Sequence, residues 1–268
     1  GDVRLIVASG TLQLSPVDVQ SPVRCVPAEA HIIETMSEAV RVNFAQPLPV
    51  FPLPDAVLLP HAIQPLHIFE KCYKQMIDDC LDGDRQVAMA SFAGQRGDDD
   101  CACAPPLRPA VCVGKIVQHA HVPGDRHDIL LQGVCRAKII ELIEPENGRL
   151  YRMAKLSPLE PVDEHPPPMP EIRRELRKLL NSRTLSRLRC IETVMHWFDR
   201  DDVPTHALME LIGFALLRDG EVRYQLLAEA SPRRRADMIK GELLSLSTLV
   251  SRAERQSFNA WPKGLSWN

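Results

Sequence analysis

The apolar positions change their period twice along the chain. Between Leu48 and Pro65 five prolines fall in eighteen residues, with Leu48, Val50, Phe51 and Leu53 standing between them. Each proline removes a backbone donor, so the stretch over 47–54 predicts an extended arm or an edge strand. Ala56 to Pro60 reads as a short buried strand, bounded by Asp55 and Pro60. The period then lengthens. Phe69, Tyr73, Met76, Ile77 and Cys80 follow at i, i+4, i+7, i+8 and i+11, which predicts a helix over 67–82 with one apolar face. Glu70 and Lys74 are spaced as an outer i, i+4 pair, and Gly83 is the expected stop.

Short periods return after Gln86. Gln86–Phe92, Val111–Val122, His127–Glu144 and Leu150–Pro161 read as strands, with Pro123–Arg126 as a hairpin turn and 93–110 as a loop. Residues 161–170 carry five prolines in ten and predict a boundary. Beyond it the spacing is helical. Ile172, Leu176, Leu179 and Leu180 share a face, as do Leu208, Leu211, Ile212 and Ala215, which Asp219-Gly220 is expected to stop. A short helix follows over 223–230, and a last one carries Ile239, Leu243, Leu246 and Val250, with Ser231 as N-cap and Pro232 at its first position. Strands first and helices second predict an α+β protein. The expected division is an N-terminal extension (1–45), a β-rich part (46–161), a linker (162–170), a helical part (171–256) and a tail (257–268).

Composition narrows the classes. The chain has 268 residues and a net charge of −3, so no global basic field points to nucleic acid. No apolar run approaches the roughly 20 residues of a membrane span. The eight cysteines are even in number, but Cys72 and Cys80 lie about 12 Å apart on the expected helix, beyond disulfide reach. Reduced thiols in a cytoplasm are expected. Residues 1–35 show no sustained period and are expected to hold little structure, with Met36 reading as a natural start.

The run Leu48 to Pro54, followed by Val57 to Pro60, Pro65 to Glu70 and Tyr73, resembles the opening of the Lon protease N-terminal, substrate-binding domain family. Val113 to Leu142 is similar to that family's central hairpin, and Leu208–Leu217 and Arg233–Leu244 to its helical half. The resemblance covers about residues 45–255 and departs at Lys71 and Cys72, where relatives often carry Pro-Arg. It implies a PUA-like, partly closed β-structure with one covering helix, followed by a helical bundle. It also implies a module that binds unfolded polypeptide or a protein partner, such as a Lon-type ATPase, without doing chemistry. No glycine is followed five positions on by Gly-Lys-Ser/Thr, so the chain lacks the phosphate-binding loop of an ATPase. It ends at Asn268, before a protease module could fit. A stand-alone, non-catalytic protein without cofactor is the expectation, and a fragment carrying the protease's family label is the alternative.

Candidate chemistry is sparse. Cys101, Cys103 and Cys112, with His119 and His121, are residue types that ligate zinc, but they lack paired C-x2-C spacing. His61, His67, Glu70 and Asp55 lie close in sequence, and His67 is expected to cap or pack at a helix start. Arg173, Arg174, Arg177, Lys178, Arg183, Arg187 and Arg189 form a basic stretch, which on a PUA-like protein raises RNA as an alternative. No aromatic residue falls between 152 and 196 to stack on bases, which argues against it. Tyr73, Arg173 and Arg177 are the candidate protein-binding residues. Phe69 is expected to begin the buried helix face, and the cleft between the β part and the helices is the expected seat of a client.

Overall fold

The computed structural model describes residues 40–54, 56–94, 105–160, 168–188 and 191–255. Met36, Asp55, Cys101, Cys103, Arg189 and most of the proline-rich boundary therefore lie outside the described residues. Within them, six strands form one sheet: β1 (Leu48–Leu53), β2 (Ile63–Ile68), β3 (Gln86–Ser91), β4 (Ala110–Val122), β5 (Arg126–Ile143) and β6 (Met153–Pro158). Helix α1 (Lys71–Leu81) lies between β2 and β3. After β6 come α2 (Pro170–Leu180), a short 3-10 turn (Leu185–Arg187), α3 (Ile191–Phe198), α4 (Thr205–Leu216), α5 (Gly220–Ala228) and α6 (Pro232–Arg255). The expected α+β order holds.

β5 closes the sheet on itself. One edge pairs with β4 along Arg126–Lys138. The other pairs with β2 through His127–Gln132 and with β6 through Ala137–Ile143. The β4–β5 register slips beside Val134, where two residues of β5 pass one step of β4. Such a bulge bends and twists a strand, which lets one 18-residue strand serve two neighbours on one edge. β6 then meets β1, and the order β5-β4-β3-β1-β6 returns to β5.

β1 is an interior strand, not the edge that its prolines predicted. It lies parallel to β3 and antiparallel to β6. Pro49 and Pro52 differ in parity, so their missing donors fall on opposite neighbours. Pairing with β6 is correspondingly short, registering only Leu48 and Pro49, with Val50 N–H donating to the Arg152 carbonyl at 2.9 Å. Alternation along the strands makes two cores. Leu48, Val50, Ala88, Ala90, Val111, Val113, Ala137, Ala154 and Leu156 form a small one rich in alanine. The opposite faces, with Phe51, Leu53, Val87, Met89, Ile129 and Leu131, join a larger core that runs without a break into α1 and the C-terminal helices.

The segment Ala56–Leu59 is buried, as its apolar run predicted, but it is not a ladder strand. It crosses β5 at Gly133. His61 N–H donates to the Gly133 carbonyl and Gly133 N–H to the Ala62 carbonyl, both at 2.8 Å. A Cβ on Gly133 would overlap the carbonyl oxygen of Leu59. On the far side, a Cβ on Gly213 of α4 would come within 3.2 Å of the Leu59 and Leu226 side chains. The true strand follows at Ile63–Ile68, and it shortens the expected helix. His67 and Ile68 pair with Asp128 and His127, so α1 begins only at Lys71. Its buried face is Tyr73, Met76, Ile77 and Cys80; Phe69 precedes the helix and is half-buried. The Tyr73 ring packs 4.8 Å from Phe51. Lys74 pairs with Asp125 of the β4–β5 turn.

α4 is buried on nearly every side, including Glu210. α3, which no strong period announced, covers it with Val194 and Phe198. Asp219-Gly220 does more than stop α4. The Asp219 carboxylate accepts from Glu221 and Val222 N–H at 2.8 and 3.2 Å, so it caps α5. α5 in turn grips the barrel: Arg108 makes a two-pronged pair with Glu221 and lies over the Tyr224 ring, whose hydroxyl accepts from Ala110 N–H at 3.0 Å.

Two stability predictions follow from these placements. Gly133→Ala must push the Leu59 backbone away and should cost about 3 kcal/mol or more in urea unfolding. Tyr73→Ala should cost about 3–5 kcal/mol, whereas Phe69→Ala, removing a half-buried ring, should cost about half of that. Equal losses at the two aromatic positions would contradict the observed helix start.

Candidate functional site

The junction between barrel and helices, where an open client cleft is expected, is filled. Leu59 and Leu226 meet over Gly213, and beside them lies a buried set of charges. Arg136 of β5 pairs with Glu210 of α4, and with Glu160, which follows β6, at 3.5 Å. Arg235 of α6 pairs with Glu160 at 2.5 Å and Glu210 at 3.2 Å. Arg136, Glu210 and Arg235 are each at most 3% exposed, and two arginines balance two glutamates. The spare guanidinium donors go to carbonyls: Arg136 to Leu226 at 3.4 Å, Arg235 to Glu229 and Ala230 at 2.8 and 2.9 Å. Charges buried this deeply persist only when paired.

His61 borders this network. Its ring lies 5.5 Å from that of His206 of α4. Burial, then His206 and Arg136, push its pKa down to about 4, against the weaker opposing pull of Glu160. Burial lowers His206 as well. His61 also holds a left-handed backbone, φ 65°, at the turn that leads out of the crossing.

Among the described residues an open concavity lies at one end of the barrel. A cleft of about 210 Å³ is bounded by Asn43–Pro49, the end of α1 with Asp79 and Cys80, the turn Gly83–Gln86, and Tyr151 and Met153. Pro47, Pro49 and Met153 supply half-exposed apolar surface; Asp79, Asp84 and Arg85 supply charge at the rim. Tyr151 fixes one wall by donating to Asp79 at 2.8 Å. Gln75 fixes the loop beside it, bonding the Gly148 carbonyl and Leu150 N–H at 3.0 and 2.8 Å. This volume is below the roughly 300–1,000 Å³ of small-molecule sites. It suits a side chain or two of a polypeptide.

Residues 47–244 match the family described as the ATP-dependent protease La (LON) substrate-binding domain. The chain belongs to this family. The stretch runs through both the β-rich and the helical parts. The chain is 30% identical over 115 residues to the Lon protease of Trichlorobacter lovleyi and 26% over 118 residues to that of Haemophilus influenzae. These alignments take in 43% and 44% of this chain but 14% of each relative, so the chain matches a small part of the length of those proteins. Two solved structures share the fold. The N-terminal domain of a Mycobacterium avium complex Lon protease superposes with a TM-score of 0.54 at 18% identity, covering 76% of this chain and 98% of that one. The Lon N-terminal domain protein from Xanthomonas campestris gives 0.52 at 20%, covering 73% and 98%. In this chain the family match is to the substrate-binding domain alone.

Within this Lon-type domain the residues singled out from the sequence are scattered. Tyr73 is core, its hydroxyl donating to the Pro52 carbonyl at 3.4 Å. Arg173 donates to the carbonyls of Val203, Phe198 and Arg200 at 2.7–2.9 Å, closing the end of α3. Arg177 is half-exposed and pairs with Asp199. His67 binds Asp128 at 2.5 Å while His61 faces His206, so the acid–base grouping is not assembled. Cys112 is buried in the core, where its thiol is pushed well up by burial; His119 lies seven positions further along β4, about 23 Å away along an extended strand. The buried network escaped sequence reading. Its signal was present in part: Glu210 is the lone charge in the apolar run Leu208–Leu217, whereas Arg136 shares Val134–Leu142 with Lys138 and Glu141.

The neutral His61 generates a pH prediction. The unfolded chain binds this proton below about 6.5, and the folded one only near 4. Stability should therefore fall, by up to about 3 kcal/mol, as pH drops across that window. His61→Asn, which tolerates the left-handed backbone, should flatten the slope of urea-unfolding free energy between pH 6.5 and 4.

Proposed function

We propose that this domain is a non-catalytic polypeptide-binding module that takes unfolded or partner protein, a Lon-type ATPase among them, at the end of the barrel. The observation that carries the reading is the cleft bounded by Asn43–Pro49, α1 and Tyr151–Met153, on a chain whose family is a substrate-binding domain. Apolar surface at Pro47, Pro49 and Met153 would receive one or two client side chains, and Asp84 and Arg85 would meet the adjoining backbone or charges. Gain from burial is on the order of 25 cal/mol per Å² of apolar area, offset by the cost of ordering the client, so a contact of one or two side chains supports weak binding, on the order of millimolar. Arg177, half-exposed in its pair with Asp199, would act at a second, peripheral contact; Tyr73 and Arg173 serve the fold that presents the surface. Against an RNA reading, Arg173 is held by backbone carbonyls, Arg177 pairs with Asp199 at the surface, and no aromatic residue falls between 152 and 196 to stack on bases. Among the described residues no helix is long and apolar enough to cross a membrane.

Fluorescence anisotropy with a labelled, reduced and alkylated protein should show saturable binding. Met153→Glu should weaken it about tenfold, with Arg177→Ala changing it less than about threefold. The same preparation should hydrolyse no ATP in the presence of magnesium. Binding unchanged in Met153→Glu would place the client elsewhere.

A further inference from the structure

We propose that the end of the β4–β5 hairpin binds a divalent first-row transition cation, Zn2+, Ni2+ or Cu2+, through His119, His121 and His127. His119 and His121 alternate along β4 and so project from one face of the sheet. His127 of β5 is the direct cross-strand partner of His121. Three imidazoles thus share one face within a turn of the hairpin tip, an arrangement that comes from register and not from sequence spacing.

Geometry at the rings fits a cation. His119 Nε2 and His127 Nδ1 stand 2.9 Å apart. Two imidazole nitrogens bound to one ion at about 2.0–2.1 Å are separated by about 2.9 Å at a right angle and about 3.4 Å in a tetrahedron, so these two need only small rotations. The His121 ring is edge-on to His127, with centroids 5.2 Å apart, and the residue is exposed, so its ring can turn inward. Among the described residues no three such side chains already converge on a point; closure takes that rotation together with the small ones at His119 and His127. The buried His127 is oriented from behind. Its Nε2 faces the Asp78 carboxylate of α1 at 3.6 Å, which favours the proton on Nε2 and leaves the Nδ1 lone pair toward His119.

Asp78 and the Lys74–Asp125 pair adjoin the cluster, with Arg85 further off. Imidazole-only sites select zinc, copper or nickel over magnesium or calcium. Cys112, the thiol paired with these histidines on sequence grounds, is in the core and takes no part.

The test uses the full untagged chain, stripped with EDTA and titrated with zinc sulfate at pH 7.5, with bound metal measured after gel filtration. One zinc per chain is expected. His121→Ala, at an exposed position, and His119→Ala should each weaken binding at least about tenfold, while the double variant Cys101→Ser/Cys103→Ser should bind as the parent does. Copper(II) on the parent chain should give nitrogen couplings from imidazole in its electron paramagnetic resonance spectrum, a readout independent of any variant's folding. Absence of zinc binding, binding that survives both histidine variants or is lost in the cysteine variant, or a copper spectrum without nitrogen couplings would overturn the assignment.

Discussion

The structure turns on one backbone crossing. The segment 56–62 passes over β5 so closely that position 133 has no room for a side chain, and the two hydrogen bonds with His61 and Ala62 hold it there. The contact carries Leu58 and Leu59 into the space between barrel and helices, where α4 receives them at another glycine, Gly213. Without this bridging segment the two parts would face each other across a void. With it, one core runs from Phe51 and Ile77 to Leu208 and Leu243. The proline-rich boundary at 161–170 therefore divides the chain in composition, while the described residues on either side share a single interior.

The charged network follows from the same junction. Once the helices are seated on the barrel, Arg136, Glu160, Glu210 and Arg235 arrive from four different segments and neutralise one another. Such a set is a poor source of net stability, because desolvation offsets most of the attraction. It is a strong discriminator of geometry. Any other seating of α4 and α6 leaves a charge buried without its counter-charge, at a cost of about 3–5 kcal/mol. Burial is the main force that lowers the pKa of both His61 and His206 beside it; at His206 the network's glutamates pull the other way.

A concavity lies at the barrel end. There the arm before β1, the end of α1 and the β5–β6 loop are tied by Gln75, Asp79 and Tyr151 into a fixed rim. The hairpin histidines sit on the neighbouring side of α1, facing Asp78, one residue from the Asp79 that anchors this rim.

Much of this was legible in the chain itself. Period alone placed the buried face of α1, the long β4–β5 hairpin with its turn, and the helices α2, α4 and α6, because those elements present one side to a core and the alternation of apolar residues records it. The motif around Leu48–Glu70 carried the family. Three things were decided only by tertiary structure. Prolines that forbid a regular ladder could not show that β1 would be an interior strand, since that depends on which neighbours can spare a hydrogen bond. The run Ala56–Leu59 reads as a strand by composition, and only the close approach at Gly133 makes it a buried crossing instead. The pairing of Arg136 with Glu210, 74 residues apart, and the meeting of His127 with His119 and His121 in register, rest on which segments come together in space. Local sequence records what each residue must hide, not what it will meet.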